Sequence, residues 1–258
     1  MKIGFIGMGN MAQALCGGFV KEALTKDQVF AYAPNQEKLN RNAEKIGFTA
    51  CESLSQVASR ADTLIMACKP YQIDGVLREV GKQLKGKALV SIAAGWDFER
   101  YHLALGDAVR IQYVMPNTPA MVGEGVLLFE DKNSLEDKER EALMRLFETT
   151  GKVVVLPSHL MKAGMALTGC GPAFVDLFME AYSEVAVKYG ISLELAQQMI
   201  SQTVLGTAKL QQETGKHPAV LRGEVCSPGG TTIKGVLALE KAGLKAACIE
   251  SVEAIMEL

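Results

Sequence analysis

The chain has 258 residues, enough for one large or two ordinary domains, and 48% hydrophobic with 22% charged content marks a globular protein able to bury a sizeable core. Its 27 Lys and Arg against 29 Asp and Glu leave a net charge of −2 with no basic block or polybasic tail, which argues against nucleic acid or an anionic membrane as main partner. Six scattered cysteines without a Cys-x-x-Cys pair, and three histidines (His102, His159, His217) at no metal-ligand spacing, point away from a disulfide frame and from a metal site.

Met1-Lys2 runs straight into a buried-strand pattern, with no charged-then-apolar leader, and no stretch reaches the length of a membrane span. The expectation is a cytoplasmic protein with reduced thiols. Residues 2–7 read as a short buried strand. Gly7-Met8-Gly9-Asn10-Met11-Ala12 follows and opens a helical pattern through Leu24. Gly-x-Gly-x-x-Ala between a strand and a helix is the context that the dinucleotide fingerprint requires. Gly7 permits the tight turn, Gly9 lets a pyrophosphate approach the backbone, and Ala12 lets helix and strand pack closely.

The alternation continues with a strand over 28–33, a helix over 35–46 and a short strand over 48–51. A strand at 62–67 and a helix at 71–84 come next, then strands at 88–94 and 109–114, a charged amphipathic helix at 135–149 and a closing strand at 153–156. Strands separated by helices imply an α/β, doubly wound, mostly parallel sheet. Gly123-Glu124-Gly125 reads as a turn. After Pro157 only helices are expected: one after Gly171-Pro172 that stops at Gly190, one capped by Ser192 and ended by Gly215, and short ones after Pro218, Thr232 and Leu244. The predicted organisation is a nucleotide-binding domain over 1–157 and a helical domain over 158–258. The helical part is more apolar than a lone bundle of its size needs, which predicts a subunit interface.

NAD enzymes place an acidic residue at the end of the second strand, to hold the ribose hydroxyls. Here Tyr32-Ala33-Pro34-Asn35 supplies none before Glu37, and neutral Asn35 with Lys38 and Arg41 nearby suits a 2′-phosphate. NADPH is therefore favoured and NADH left open; Lys38 and Arg41 also read as an ordinary solvated helix face. Three further strand-end loops are polar or constrained: Cys68-Lys69-Pro70, Ala93-Ala94-Gly95, and Met115-Pro116-Asn117-Thr118-Pro119. Ligands of open parallel sheets bind at that edge. Lys69 reads as a cofactor or anion contact or as a surface lysine, and Asn117 as a cofactor contact or as turn chemistry. Near the C-terminus, Ser227-Pro228-Gly229-Gly230-Thr231-Thr232 opens a helix, where uncovered amides and the helix dipole suit a small carboxylate. An ordinary N-cap is the plain alternative.

In order along the chain stand Gly7-Met8-Gly9-Asn10-Met11-Ala12, Lys69-Pro70, Met115-Pro116-Asn117-Thr118-Pro119, Gly171-Pro172-Ala173, Gln202-Thr203 with Gly206, His217-Pro218-Ala219 with Leu221, and Ser227 through Thr232. Together they resemble pyrroline-5-carboxylate reductase over nearly the whole chain, with Ser227–Thr232 the most specific part. The resemblance implies reduction of 1-pyrroline-5-carboxylate to L-proline with NAD(P)H, a Rossmann domain followed by a helical dimerisation domain, and dimers that often build a decamer. It implies that Thr232 hydrogen-bonds the ring nitrogen, that Ser227 and the backbone of Gly229, Gly230 and Thr231 hold the carboxylate, and that Lys69, Pro70, Ala93, Ala94 and Gly95 line the nicotinamide side. The chain departs from the family in one place: Cys170 stands where the family usually has serine, and a thiol is the weaker donor.

A protonated cyclic imine already carries its electrophile, so hydride transfer needs positioning rather than a strong acid or base. The sequence offers no obvious His–carboxylate pair. A β-hydroxyacid dehydrogenase resembles this layout but places a lysine and an asparagine four residues apart on a helix, whereas Lys162 here is followed by Ala166. A reductase of another cyclic imine or an F420-linked substrate is separated by an imine panel. A non-catalytic dinucleotide sensor is opposed by the intact Ser227–Thr232 loop.

Overall fold

The computed structural model describes residues 1–257, which form two compact units, Met1–Cys170 and the residues from Gly171 onward. In the first, eight strands lie in the order β3-β2-β1-β4-β5-β6-β7-β8. They are β1 (Ile3–Ile6), β2 (Val29–Tyr32), β3 (Thr49–Ala50), β4 (Thr63–Met66), β5 (Ala88–Ser91), β6 (Arg110–Met115), β7 (Gly125–Asn133) and β8 (Gly151–Leu156). Helices α1 (Asn10–Glu22), α2 (Gln36–Ile46), α3 (Leu54–Arg60), α4 (Pro70–Val80), α5 (Phe98–Leu105), α6 (Asp137–Glu148) and α7 (Met161–Thr168) belong to the same unit. The second unit holds α8 (Gly171–Lys188), α9 (Leu193–Thr214), α10 (Pro218–Glu224), α11 (Thr231–Lys241) and α12 (Leu244–Met256).

All neighbouring strands run parallel except β6 and β7. A parallel return needs a crossover of roughly a dozen residues or more. Residues 116–124 are too few for one, so β7 comes back antiparallel through a 3₁₀ turn at Thr118–Val122 and a left-handed Gly123. Helix α6 then supplies the crossover that lets β8 pair parallel with β7. The sequence reading expected 153–156 to close the sheet, and β8 does lie at the edge; it did not expect β7, α3, α5 or α7.

Each strand of the sheet's centre is buried on both sides, as a parallel sheet covered by helices requires. Phe5, Leu15, Phe19, Leu39, Phe129, Leu143 and Phe147 fill one core. Its spine is a run of rings, Phe5–Phe19 at 6.1 Å, Phe19–Phe147 at 5.2 Å and Phe147–Phe129 at 5.3 Å between centroids. Ile6, Val57, Leu64, Ile73, Leu89, Trp96, Tyr101 and Ile111 fill the other. Sequence caps define the helices: Asn35, Ser53, Asp97 and Ser192 each accept a backbone N–H of the first turn with the side chain. Left-handed Gly47 and Gly215 end α2 and α9.

The compact units part after Cys170, although the strands stop at Leu156 and the expected division fell between 157 and 158. Close packing explains the difference. Gly164 brings α7 so near the sheet that a Cβ there would lie 2.6 Å from Leu156 Cδ1 and 2.8 Å from Leu128 Cδ1. Met161 joins Tyr113 and Leu128 in a third, small cluster on that side. The helical unit has the opposite character. Of its described residues only Ser183 and Ala196 are buried, while Phe174, Leu177, Phe178, Leu195, Met199 and Leu205 stay exposed.

Burial also sets a pH limit. Cys16 is fully buried, and desolvation pushes its thiol from an ordinary 9.0 up to about 12. The folded chain therefore holds this proton more tightly than the unfolded one. The stability that results is intact below pH 9 and is lost as pH climbs toward 12, at roughly 1.4 kcal/mol per pH unit for one such group. Burial of Cys68 and Tyr113, to about 11 and about 12, acts in the same direction. Urea unfolding midpoints should accordingly hold steady from pH 7 to 9 and fall between pH 9 and 11.

Candidate active site

The parallel register places the ends of the central strands side by side: Ile6 pairs with Tyr32 and Met66, Met66 with Ser91, and Ser91 with Tyr113. The loops that follow, carrying Gly7–Ala12, Asn35, Lys69-Pro70, Ala93–Gly95 and Asn117, therefore leave the sheet along one edge. Strand order reverses between β1 and β4, the switch point at which such sheets take their ligands.

At that point β1 ends in Gly7, whose φ is +99° and whose amide donates to Tyr32 O at 2.8 Å. A Cβ on Gly7 would lie 2.7 Å from Cys68 N and 2.8 Å from Ala67 C and O, so only glycine lets the loop pass the end of β4. Met8 is buried, and its carbonyl accepts from Gln13 Nε2 at 3.1 Å. Gly9 stands at the N-cap of α1, where no side chain bonds the first turn and no acidic residue occurs in it. A Cβ at Gly9 would meet nothing within 4 Å. The amides of Asn10, Met11 and Ala12 thus begin a helix that no side chain caps, beside open space. Ala12, 1% exposed, packs the helix onto the sheet. Uncapped amides, absent carboxylates and room for a phosphate together fit a dinucleotide pyrophosphate.

At the end of β2, Asn35 Oδ1 accepts the Lys38 amide at 2.9 Å and so starts α2. Glu37 is tied to Arg41 at 2.7 Å, and Lys38 is exposed. After β4, Pro70 occupies the first turn of α4, the Lys69 amide donates to Gln72 Oε1 at 3.1 Å, and the Lys69 side chain is exposed. After β5, Ala93 is buried, while Ala94 and left-handed Gly95 are exposed. Asn117 is buried and its amide is used by the fold: Oδ1 accepts the Val126 amide at 2.8 Å, and Nδ2 donates to Thr168 O at 2.9 Å. That double bond ties the turn after β6 to β7 and α7, the turn-chemistry side of the earlier alternative.

In the helical unit, α10 leads into a turn in which the Gly230 amide donates to Ser227 O at 3.0 Å and Gly229 takes φ +69°. Gly230 is the N-cap of α11, again without a side-chain cap and without an acid in the first turn. The Ser227 hydroxyl lies against the place where a Gly230 Cβ would stand, so a larger residue there would displace that hydroxyl. Thr231 and Thr232, exposed, are the first residues of the helix. Ser227, Gly229, Gly230, Thr231 and Thr232 are thus held on one short turn, and the residues expected to meet the cofactor follow strand ends along one sheet edge. Cys170, half-buried, has its sulfur 3.9 Å from Met165 Sδ.

No His–carboxylate pair stands at either place. His217 Nδ1 caps α10 by accepting the Ala219 amide at 3.2 Å, and His102 faces Asp107 on the surface at 3.7 Å. Among the described residues no cluster of His, Cys, Asp and Glu could hold a metal, and no helix is long and apolar enough to cross a membrane.

Residues that the sequence reading passed over fix the Ala93–Gly95 loop. The only tryptophan, Trp96, is buried against Tyr101 at 4.8 Å. Arg100 packs over its indole at 4.1 Å and donates to Gly95 O at 3.2 Å. Their signal was present in the sequence, since Asp97 follows that tryptophan as a ready N-cap and Gly106 marks a stop.

A family model described as pyrroline-5-carboxylate reductase dimerisation matches residues 158–257, and one described as NADP oxidoreductase, coenzyme F420-dependent, matches residues 2–95. The chain is 37% identical over 261 residues to a pyrroline-5-carboxylate reductase of Treponema pallidum, covering 99% of each. Among solved structures it is similar to a Plasmodium falciparum pyrroline carboxylate reductase with NADP bound, with TM-score 0.90 and 29% identity over 100% of this chain and 96% of that one. It is likewise similar to the Coxiella burnetii pyrroline-5-carboxylate reductase, with TM-score 0.91 and 31% identity over 99% and 96%. With 37% identity to such a reductase over 99% of each chain, the chain belongs to the pyrroline-5-carboxylate reductase family.

Proposed function

We propose that this enzyme reduces L-1-pyrroline-5-carboxylate to L-proline with NAD(P)H, the last step of proline synthesis. The observation that carries the reading is the pair of helix starts, α1 at Gly9 and α11 at Gly230, both without a side-chain cap or an acid in the first turn. One suits a pyrophosphate and the other a carboxylate. Gly7, Met8, Gly9, Asn10, Met11 and Ala12 hold the pyrophosphate. Asn35 faces the adenosine ribose, with Lys38 favouring NADPH over NADH. Lys69, Pro70, Ala93, Ala94 and Gly95 border the nicotinamide half, and Asn117 holds the turn after β6 beside them. The reduced nicotinamide, when bound, is the source of the hydride.

The chain's own part is positioning. The amides of Gly229, Gly230 and Thr231 with the Ser227 hydroxyl grip the substrate carboxylate. The Thr232 hydroxyl accepts a hydrogen bond from the iminium N–H, which keeps its proton, and thereby orients the ring. Hydride addition to the imine carbon, carbon 2 of the pyrroline ring, converts C=N⁺H to CH–NH, so the electron pair of the π bond ends on nitrogen as that of a neutral amine. No acid or base in the protein is needed for that step. The C-terminal helical domain pairs two copies into a dimer, consistent with its exposed apolar side chains, and dimers assemble into a decamer in the cytoplasm.

Purified enzyme, NADPH and a panel of cyclic imines test this reading. NADPH oxidation with stoichiometric L-proline is expected for pyrroline-5-carboxylate, together with a much lower kcat/KM for 1-pyrroline, which lacks the carboxylate. Absence of proline, or equal kcat/KM for both imines, would overturn it.

A further inference from the structure

One buried carboxylate takes no part in the chemistry above. Glu130, in β7, is 2% exposed, and its Oε2 accepts the Phe98 amide at 3.0 Å. Phe98 is the first residue of α5, and the segment before it is the Ala93–Gly95 loop. Resting on the reading of that loop as the nicotinamide border, we propose that Glu130 is a positioning residue for NAD(P)H, fixing through the Phe98 amide where Ala94 and Gly95 stand.

Three sets of contacts lead to this. The strand behind Glu130 is fixed: its carbonyl accepts Gln112 Nε2 at 2.9 Å and Arg140 Nη2 at 3.1 Å, and Arg140 Nε donates to Gln112 Oε1 at 3.2 Å. Gln112 is itself fully buried. The near end of the loop is anchored at β5, where the Ala93 amide donates to Ser91 Oγ at 3.3 Å and the Trp96 amide to Ala93 O at 3.1 Å. The far end is anchored by Glu130. Between those anchors only Ala94 and Gly95 reach solvent ahead of the buried Trp96.

Phe98 N–H is an orphan donor of a helix start, and Asp97 already serves the Arg100 amide at 3.0 Å. A neutral acceptor would satisfy Phe98 at lower desolvation cost than a carboxylate. Burial raises the Glu130 pKa, the Ser158 hydroxyl and the Phe98 amide oppose that shift, and Asp97 and Asp131 add to it. What the 3.0 Å bond provides is position: it ties the start of α5 to a strand that Gln112 and Arg140 already hold.

Steady-state kinetics in both substrates, with NADPH affinity by fluorescence titration, test the role on Glu130→Leu and Glu130→Gln. Loss of the acceptor in the leucine variant should raise KM and Kd for NADPH about tenfold while KM for the imine acid stays within about twofold. Glutamine keeps an acceptor and should restore NADPH affinity to within about threefold of the parent. An unchanged NADPH KM in Glu130→Leu, equal losses for both substrates, or a glutamine variant as impaired as leucine would each overturn the role.

If the leucine variant does not fold, hydrogen exchange on the parent enzyme decides. NADPH should slow exchange of the Phe98 amide by about tenfold or more, and an unchanged rate would overturn the inference. A parent enzyme that makes no proline would strike the reductase reading instead, since these outcomes concern NADPH binding alone.

Discussion

Gly7→Ala gives a chain that has lost both stability and NADPH binding, whereas Gly9→Ala gives one that has lost only the second. At Gly7 a Cβ meets backbone atoms of Ala67 and Cys68 at 2.7 to 2.8 Å, and the +99° φ is unfavourable for any L side chain. Neither neighbour can rotate away, so the ends of β1 and β4 must part. That places the cost at about 3 kcal/mol or more, within the range of strained backbone combined with overpacking. At Gly9 φ is −74° and a Cβ meets nothing within 4 Å of protein. The methyl instead occupies the room that a phosphate would use, and NADPH affinity should fall roughly 10- to 100-fold, or about 1.4–2.8 kcal/mol. Thermal melts beside NADPH titrations of both variants check this. A Gly9→Ala protein that binds NADPH like the parent would remove the pyrophosphate from α1.

The second large effect is expected at Thr232. Thr232 is exposed in the first turn of α11, whose N-cap Gly230 carries no side chain. Thr232→Ala removes one positioned hydrogen bond to the ring nitrogen and should lower kcat/KM for the imine acid by about 10- to 100-fold, equivalent to roughly 1–3 kcal/mol in the barrier. KM for NADPH should not move, because the pyrophosphate seat lies on α1. Thr232→Ser keeps the hydroxyl and should recover most of the rate. An alanine enzyme with the parent's kcat/KM would move the nitrogen contact to another group.

Sequence pattern reached the nucleotide half well because its signals are local. Gly7, Gly9 and Ala12 act within one turn of chain, and Asn35, Ser192 and Gly215 announce helix ends by their own backbone chemistry. The elements it passed over are decided by partners distant in sequence. Val126–Phe129 is a short apolar run that breaks into Glu130-Asp131-Lys132-Asn133, and only pairing with β6 and β8 makes a strand of the whole. Helices α3 and α5 are seven and eight residues long, too short for a clear period, although Ser53 and Asp97 cap them. Asn117 shows the same limit at the level of a side chain. Its motif was legible, but its two bonds, to Val126 and to Thr168 fifty-one positions away, were not. The turn at Ser227–Thr232 could be read in advance because glycine pairs at helix starts need no distant partner to expose their amides.

The outward-facing apolar residues of α8, α9, α11 and α12 leave that half with almost nothing inside it. In water such helices gain hydrophobic free energy by meeting another copy, so the stability of this half is linked to association. For this half, thermodynamic strength carries molar units: dilution loosens it as surely as heat.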